Sequence, residues 1–141
     1  MIDNLRRKLP NLPIASVTIT SDATPEYNCV AWAVGENERW WEAGMMPDSY
    51  WPAEALNTND LRGWMEAFRS EGFEVSADSA HEVGFEKIAI YLQGGVPTHA
   101  ARQLPNGRWT SKIGGLEDVE HDLSGLRDYG DPLLFMRRQL R

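Results

Sequence analysis

An Asn-Gly pair between two runs of strand-forming residues is the feature that most constrains the fold of this sequence. Asn106-Gly107 is the preferred two-residue type I′ turn of a β-hairpin, and His99–Leu104 precedes it. A two-residue turn pairs Leu104 with Trp109, and such an apolar cross-strand pair supports the register. The sequence therefore predicts an antiparallel hairpin rather than a parallel, helix-connected sheet.

The other predicted elements follow from hydrophobic periodicity. One helix is capped by Thr58–Asp60, has apolar residues at helical spacing from Leu61 to Phe68, and stops at Gly72. A second amphipathic helix is predicted over Leu116–Leu126. Strands are predicted at Ser16–Thr20, Phe73–Val75, Lys87–Leu92 and Leu133–Met136. We predict an α+β fold in which N-terminal helices, including one that carries Cys29, pack on an antiparallel sheet.

Length and composition place the sequence among ordinary globular proteins. Its 141 residues are 42% hydrophobic, which suffices for one domain, residues 1–141, with a hydrophobic core. The formal net charge of −7 disfavours partners such as nucleic acid or anionic membranes. We find no apolar run of transmembrane length and no secretory signal, so the predicted location is the cytoplasm.

Cys29 is the only cysteine of the chain and the candidate nucleophile. The segment Asn28–Ala33 is typical of the opening turn of a helix, where the helix dipole and free backbone N–H groups favour the thiolate. Asn28 would cap this helix or donate a hydrogen bond to an oxyanion. The alternative is that Cys29 is simply a small buried hydrophobic residue, as many free cysteines are.

His99 is the candidate general base. It lies at the entry of the first hairpin strand, and a neutral imidazole can accept the proton of a thiol. A third polar group would orient the ring, and Ser111 and His121 are the candidates. A two-residue turn places Ser111 on the opposite face of the sheet from His99, a relation that a bulge or a three-residue loop would reverse.

Tryptophans complete the candidate site. Trp40, Trp41 and Trp51 follow the Cys29 segment and would wall a groove for an apolar or extended substrate, unless they serve only as packing. The dispersed histidines and the cysteine have none of the usual zinc spacings, and no phosphate-binding glycine motif is present. We therefore predict no metal and no cofactor.

The order of these residues resembles the papain-like thiol hydrolase superfamily. Asn28–Trp32 is similar to the polar-Cys-small-small-aromatic run of NlpC-type endopeptidases. His99–Trp109 resembles the His-strand, Gly-turn, Trp-strand hairpin of the transglutaminase type. The resemblance implies a papain-like domain with Cys29 as nucleophile and His99 as base. The strand after the histidine carries Thr110-Ser111 and no Asp or Asn, which departs from the superfamily pattern.

Two functional hypotheses follow. The first is a cysteine hydrolase or acyltransferase that acts on a peptide or amide bond through Cys29 and His99, with a peptide or protein as substrate. The second is a non-catalytic acidic partner-binding protein, such as an immunity or adaptor module, that binds through the segment around Trp40-Trp41. Most of residues 26–138 also resemble a family of small uncharacterised bacterial proteins, a likeness that brings no activity with it.

Overall fold

A single antiparallel sheet organises the computed structural model, which describes residues 2–140. Its seven strands are β1 (Thr18–Ile19), β2 (Glu74–Ser76), β3 (Phe85–Gln93), β4 (Val96–Gln103), β5 (Trp109–Lys112), β6 (Asp118–His121) and β7 (Asp131–Gln139). Their order across the sheet is β1-β6-β5-β4-β3-β7-β2. The predicted α+β class with an antiparallel sheet is confirmed.

Short helices cover the two faces of this sheet. They are α1 (Ile2–Lys8), α2 (Cys29–Ala33) and α3 (Leu61–Ser70), together with 3₁₀ helices at Ile14–Ser16 and Leu123–Tyr129. None of the helices within residues 2–140 has the length and apolar character that crossing a bilayer requires.

The predicted helix after Thr58–Asp60 is present as α3. The side chain of Asp60 accepts a hydrogen bond from the backbone N–H of Gly63 at 2.9 Å, which caps the first turn. Trp64 and Phe68, one turn apart, are both buried against the sheet. Burying a side chain of this size contributes about 1.5–3 kcal/mol, so this apolar stripe is what holds α3 in place.

Alternating residues of the central strands build two hydrophobic cores, because successive side chains of a strand point to opposite faces. Ile88, Ile90 and Ala100 pack with α2 and α3 in the first core. Ala89 and Tyr91 pack with α1 and with the 3₁₀ helix Leu123–Tyr129 in the second core. Residues that neighbour each other on β4 therefore face different cores.

The hairpin has a three-residue loop, so the predicted two-residue turn is wrong by one residue. The backbone N–H of Leu104 donates to the carbonyl of Arg108 at 2.7 Å, and Gln103 pairs with Trp109. A two-residue turn would require Pro105 to donate to the ladder, and proline has no N–H. The loop is closed instead by Gly107, whose φ of 86° is left-handed. The shift moves Ser111 to the face of the sheet that carries His99.

The predicted helix over Leu116–Leu126 is also wrong. Residues Asp118–His121 form β6, which pairs with β5 on one side and β1 on the other, and a 3₁₀ helix follows. The apolar spacing that suggested a helix arises because Val119 fills the core from a strand, whereas Leu123 and Leu126 contact the same core from the 3₁₀ helix. A short strand between two partners overrides the helical pattern.

Candidate functional site

A cavity of about 200 Å³ opens beside the start of α2 and contains the candidate nucleophile. Cys29, Asn28 and Val30 line it from α2, and Pro97-Thr98 line it from the start of β4. Its remaining wall includes the indoles of Trp40, Trp41, Trp51 and Trp64. The structure thus brings the three predicted groove tryptophans together with Cys29. Trp64 was missed because its helical spacing indicated only a core position.

Asn28 joins α2 to the tryptophan segment. Its side-chain oxygen accepts hydrogen bonds from the backbone N–H groups of Ala31 at 3.3 Å and Trp41 at 3.1 Å. Its amide nitrogen donates to the carbonyl of Trp41 at 2.6 Å. Asn28 is therefore the helix cap that was predicted, and its role in holding Trp41 leaves one amide hydrogen for an oxyanion.

Replacing Asn28 by alanine is expected to lower the free energy of unfolding by about 2 kcal/mol, because a cap and two buried backbone bonds are lost together. Asn28→Asp keeps both acceptor contacts but places a carboxylate oxygen against the carbonyl of Trp41 in a buried position, so a loss at least as large is expected. Urea denaturation followed by tryptophan fluorescence measures both. Equal stability of the alanine variant and the natural protein would contradict this role.

The Cys29 thiol is not poised as a thiolate in the resting structure. Burial raises its pKa, and this effect outweighs the lowering by the backbone N–H groups of Ala100, Val30 and Cys29 and by the charge of Lys112. The direction is opposite to the one expected from a helix start. The reason is the burial of the sulfur, which disfavours the charged thiolate.

His99 lies in the second core, with 1% of its surface exposed. Its ring stacks on Tyr129 with the centroids 4.2 Å apart, and Tyr91 contacts it edge-on at 5.4 Å. Burial, followed by the charges of His121 and Lys8, holds its pKa well below the usual range, so the imidazole is neutral. Its Nε2 is buried and has no hydrogen-bond partner among residues 2–140, Cys29 included.

Cys29 and His99 lie on opposite sides of the β4 backbone. Cys29 packs against the first core, and the N–H of Ala100, the residue after His99 on β4, acts on its sulfur. The His99 ring contacts Tyr91 and Tyr129 of the second core.

Thr98 and Tyr129 position the His99 ring, and sequence reasoning missed both. Thr98 is an extra residue in a bulge of β4, since Tyr91 pairs with His99 and Leu92 with Pro97. Its hydroxyl donates to the carbonyls of Tyr91 and Tyr129. The hydrogen bond to the Tyr129 carbonyl holds the end of the 3₁₀ helix Leu123–Tyr129 against β4. No turn or motif in the sequence marks either residue.

Ser111 and His121 pair with each other. The Ser111 hydroxyl lies 2.7 Å from Nε2 of His121, whose Nδ1 lies 2.7 Å from the carbonyl of Asp122. A carbonyl only accepts, so Nδ1 carries the proton and Nε2 accepts from Ser111. Burial lowers the His121 pKa to about 4. Both side chains are fully buried and neither lines the Cys29 cavity.

No group of three or more His, Cys, Asp or Glu side chains within residues 2–140 is arranged to hold an ion.

Comparison with known families gives one match. A family model described as a domain of unknown function, DUF7689, matches residues 18–137, which include the Cys29 cavity and all seven strands except the last two residues of β7. No curated protein and no solved structure matches the chain significantly.

Proposed function

The chain belongs to the DUF7689 family, a domain of unknown function, and we propose that it is a cysteine hydrolase or acyltransferase acting on a peptide or amide bond. The observation that carries the proposal is the placement of Cys29 in a tryptophan-lined cavity. Backbone N–H groups of Ala100, Val30 and Cys29 act on its sulfur. The order of a Cys-bearing helix followed by a His-bearing strand supports a papain-like relationship.

In the first step the Cys29 sulfur attacks the carbonyl carbon of the bound amide, and a C–S bond forms. The carbonyl oxygen becomes an oxyanion, which the N–H of Cys29 and the remaining amide hydrogen of Asn28 would stabilise. The thiol proton moves to Nε2 of His99. That atom suits the role because the imidazole is neutral and Nε2 has no competing hydrogen-bond partner among the described residues.

Proton transfer requires the sulfur and Nε2 to meet. The resting structure has no hydrogen bond between them, and the two side chains lie on opposite faces of β4. The proposal therefore requires the start of β4 at the Thr98 bulge to rearrange when substrate occupies the cavity, so that the His99 ring leaves Tyr129 and turns toward the sulfur. In the resting structure the thiol and the imidazole are both neutral, in keeping with the two pKa directions.

In the second step an acyl-enzyme forms on Cys29 and is then cleaved. The imidazolium of His99 returns its proton to the departing amine as the C–N bond breaks, which leaves a thioester on Cys29. Water or an acceptor amine attacks the thioester carbonyl carbon and gives a proton to His99, so that a C–O or C–N bond forms. The C–S bond then breaks, and His99 returns that proton to the departing sulfur, which restores the Cys29 thiol. The choice between the two acceptors separates hydrolysis from acyl transfer.

The tryptophans favour an apolar or aromatic group beside the scissile bond. Trp40, Trp41 and Trp51 form the cavity wall nearest in sequence to Cys29, and Trp64 adds a fourth indole. Aromatic walls bury large apolar groups with favourable stacking. We propose a peptide or protein substrate that presents such a side chain.

Covalent labelling tests this proposal, because Cys29 is the only thiol. An N-capped phenylalanyl chloromethyl ketone is expected to alkylate Cys29 at least tenfold faster than iodoacetamide, since only the former fills the cavity. Iodoacetamide labelling is expected to be slow at pH 7 and to accelerate in alkaline solution, following the raised thiol pKa. Intact mass spectrometry against time measures both rates.

Matched histidine variants test the base. His99→Gln is expected to slow chloromethyl ketone labelling at least tenfold, whereas His81→Gln, at an exposed position on a loop, should leave the rate unchanged. Equal rates in the natural protein and His99→Gln would contradict the role of His99. Equal rates for the two reagents would contradict a substrate-binding cavity at Cys29.

A non-catalytic binding protein is the second candidate. The observation that favours it is the separation of Cys29 from His99, combined with a thiol pKa that burial raises. In that case the tryptophan cavity binds an apolar side chain of a partner, and Cys29→Ser leaves the binding unchanged. Absence of any chloromethyl ketone adduct would favour this candidate over the enzyme.

A further inference from the structure

A larger cavity lies at the opposite end of β4 from Cys29. Its volume is about 320 Å³, and it is formed where β3 begins and β4 ends. Apolar side chains make up much of its wall: Val83, Phe85, Leu104, Pro105 and Leu140. Val83 is 90% exposed, although it is an aliphatic residue beside a cavity. An apolar rim of this kind is typical of a site that a ligand covers.

Arg102 is the cation of this cavity that has no carboxylate within ion-pair distance among residues 2–140. Its Nε is buried without a hydrogen-bond partner in that range. The ring of Trp32, whose centroid lies 4.8 Å from the guanidinium carbon, and the more distant charges of Glu86 and Asp118 stabilise its charge. Burial lowers the pKa of Arg102, which reflects the cost of keeping this charge out of water.

The acidic residues of the same cavity are already engaged. Glu86 accepts from Arg138, and Glu82 accepts from Arg137 and lies 3.7 Å from Lys87. Arg138 also donates to two backbone carbonyls. Lys87, Arg137 and Arg138 thus each form an ion pair with a carboxylate. Arg102 instead packs on the ring of Trp32 and lines the cavity.

We propose that this cavity binds an aliphatic monocarboxylate, with the carboxylate on Arg102 and the hydrocarbon chain against Val83, Leu104 and Pro105. A guanidinium offers a planar fork of donors that matches a carboxylate, and such a bond is strongest where water is excluded. The apolar walls favour a hydrocarbon tail over a bare anion or a sugar phosphate. This site is independent of the Cys29 cavity and of any reaction there.

Isothermal titration with sodium octanoate tests the proposal, with the neutral octanamide as the matched ligand. Octanoate is expected to bind at one site per chain and at least tenfold more tightly than octanamide. Arg102→Met should remove this preference, and Arg102→Lys should retain part of it. Equal affinities for the two ligands, no saturable binding of octanoate, or an undiminished preference in Arg102→Met would each overturn the proposal.

Substitutions at the exposed residue Val83 test the site independently of Arg102, whose replacement could impair folding. Val83→Asp places a negative charge at the rim without disturbing packing, and it should weaken octanoate binding at least threefold relative to Val83→Asn. Octanamide should bind both variants equally. Inorganic phosphate tests whether an anion without a hydrocarbon chain binds as well. If phosphate competes with octanoate at equal concentration, the proposed contribution of the apolar walls is contradicted.

Discussion

Between pH 6.5 and pH 5, the free energy of unfolding is expected to fall by about 3 kcal/mol. His99 and His121 are buried and neutral in the fold, with pKa values lowered by burial, whereas unfolded histidines have a pKa near 6.5. The unfolded chain therefore binds more protons in this range, and stability declines as the pH declines. The contribution of each histidine grows from about 0.7 kcal/mol per pH unit at pH 6.5 to about 1.4 kcal/mol per pH unit well below it, until the folded pKa is reached, which for His121 is about 4.

Urea denaturation at pH 7, 6 and 5 measures this decline. His121→Gln keeps an acceptor for Ser111 and removes one titrating group, so it should halve the slope. The carboxyl groups of Asp60, Glu66 and Asp78, whose pKa values hydrogen bonds lower, contribute only below about pH 4.5 and leave the window clear. A stability that does not change between pH 6.5 and pH 5 would show that the two histidines are accessible to protons in the fold.

Gly130→Ala is expected to destabilise the protein by at least about 3 kcal/mol. A Cβ at this position would lie 2.1 Å from the carbonyl oxygen of Leu92, and the residue has a left-handed φ of 97°. Strand β3 cannot yield without losing its pairing with β7, so overpacking and backbone strain act together. Because Gly130 follows Tyr129 directly, the substitution should also move the ring that covers His99.

Gly95→Ala is the matched control. Gly95 has a similar φ of 81°, but an added Cβ there would meet no atom within 4 Å. Only the conformational cost remains, about 1 kcal/mol. Chemical denaturation of both variants separates close packing from backbone strain, and equal losses would contradict the close approach at Leu92.

The fold class was predictable because its signals are local. The alternating run Lys87–Leu92, the capped helix from Leu61 and the Asn-Gly pair each specify their own element, and all are found within or near the predicted bounds. The hairpin register was wrong because the Asn-Gly preference was weighed without the missing N–H of Pro105. The helix expected around Val119 was wrong because β6 lies between β5 and β1, and β1 is distant in sequence.

The candidate site could likewise be predicted only in part. Cys29 and the tryptophans were brought together as expected because a short segment links them and Asn28 fastens it to α2. The side of β4 on which His99 points depends on the bulge at Thr98 and on which core fills each face, and neither is visible in a single sequence. Arg102 was missed for a related reason. It has no carboxylate within ion-pair distance because Glu82 and Glu86 pair with Arg137 and Arg138, and these pairings cannot be read from the sequence.

The position of β7 in the sheet has a consequence during protein synthesis. β7 is the last strand along the chain, yet it is an interior strand that pairs with both β3 and β2. While the chain is being made, β3 emerges about forty residues earlier and waits with an open, apolar edge for roughly 2–8 s at ordinary translation rates. During that interval the nascent chain is exposed to misassociation, and chaperones that shield unpaired strands should raise its yield.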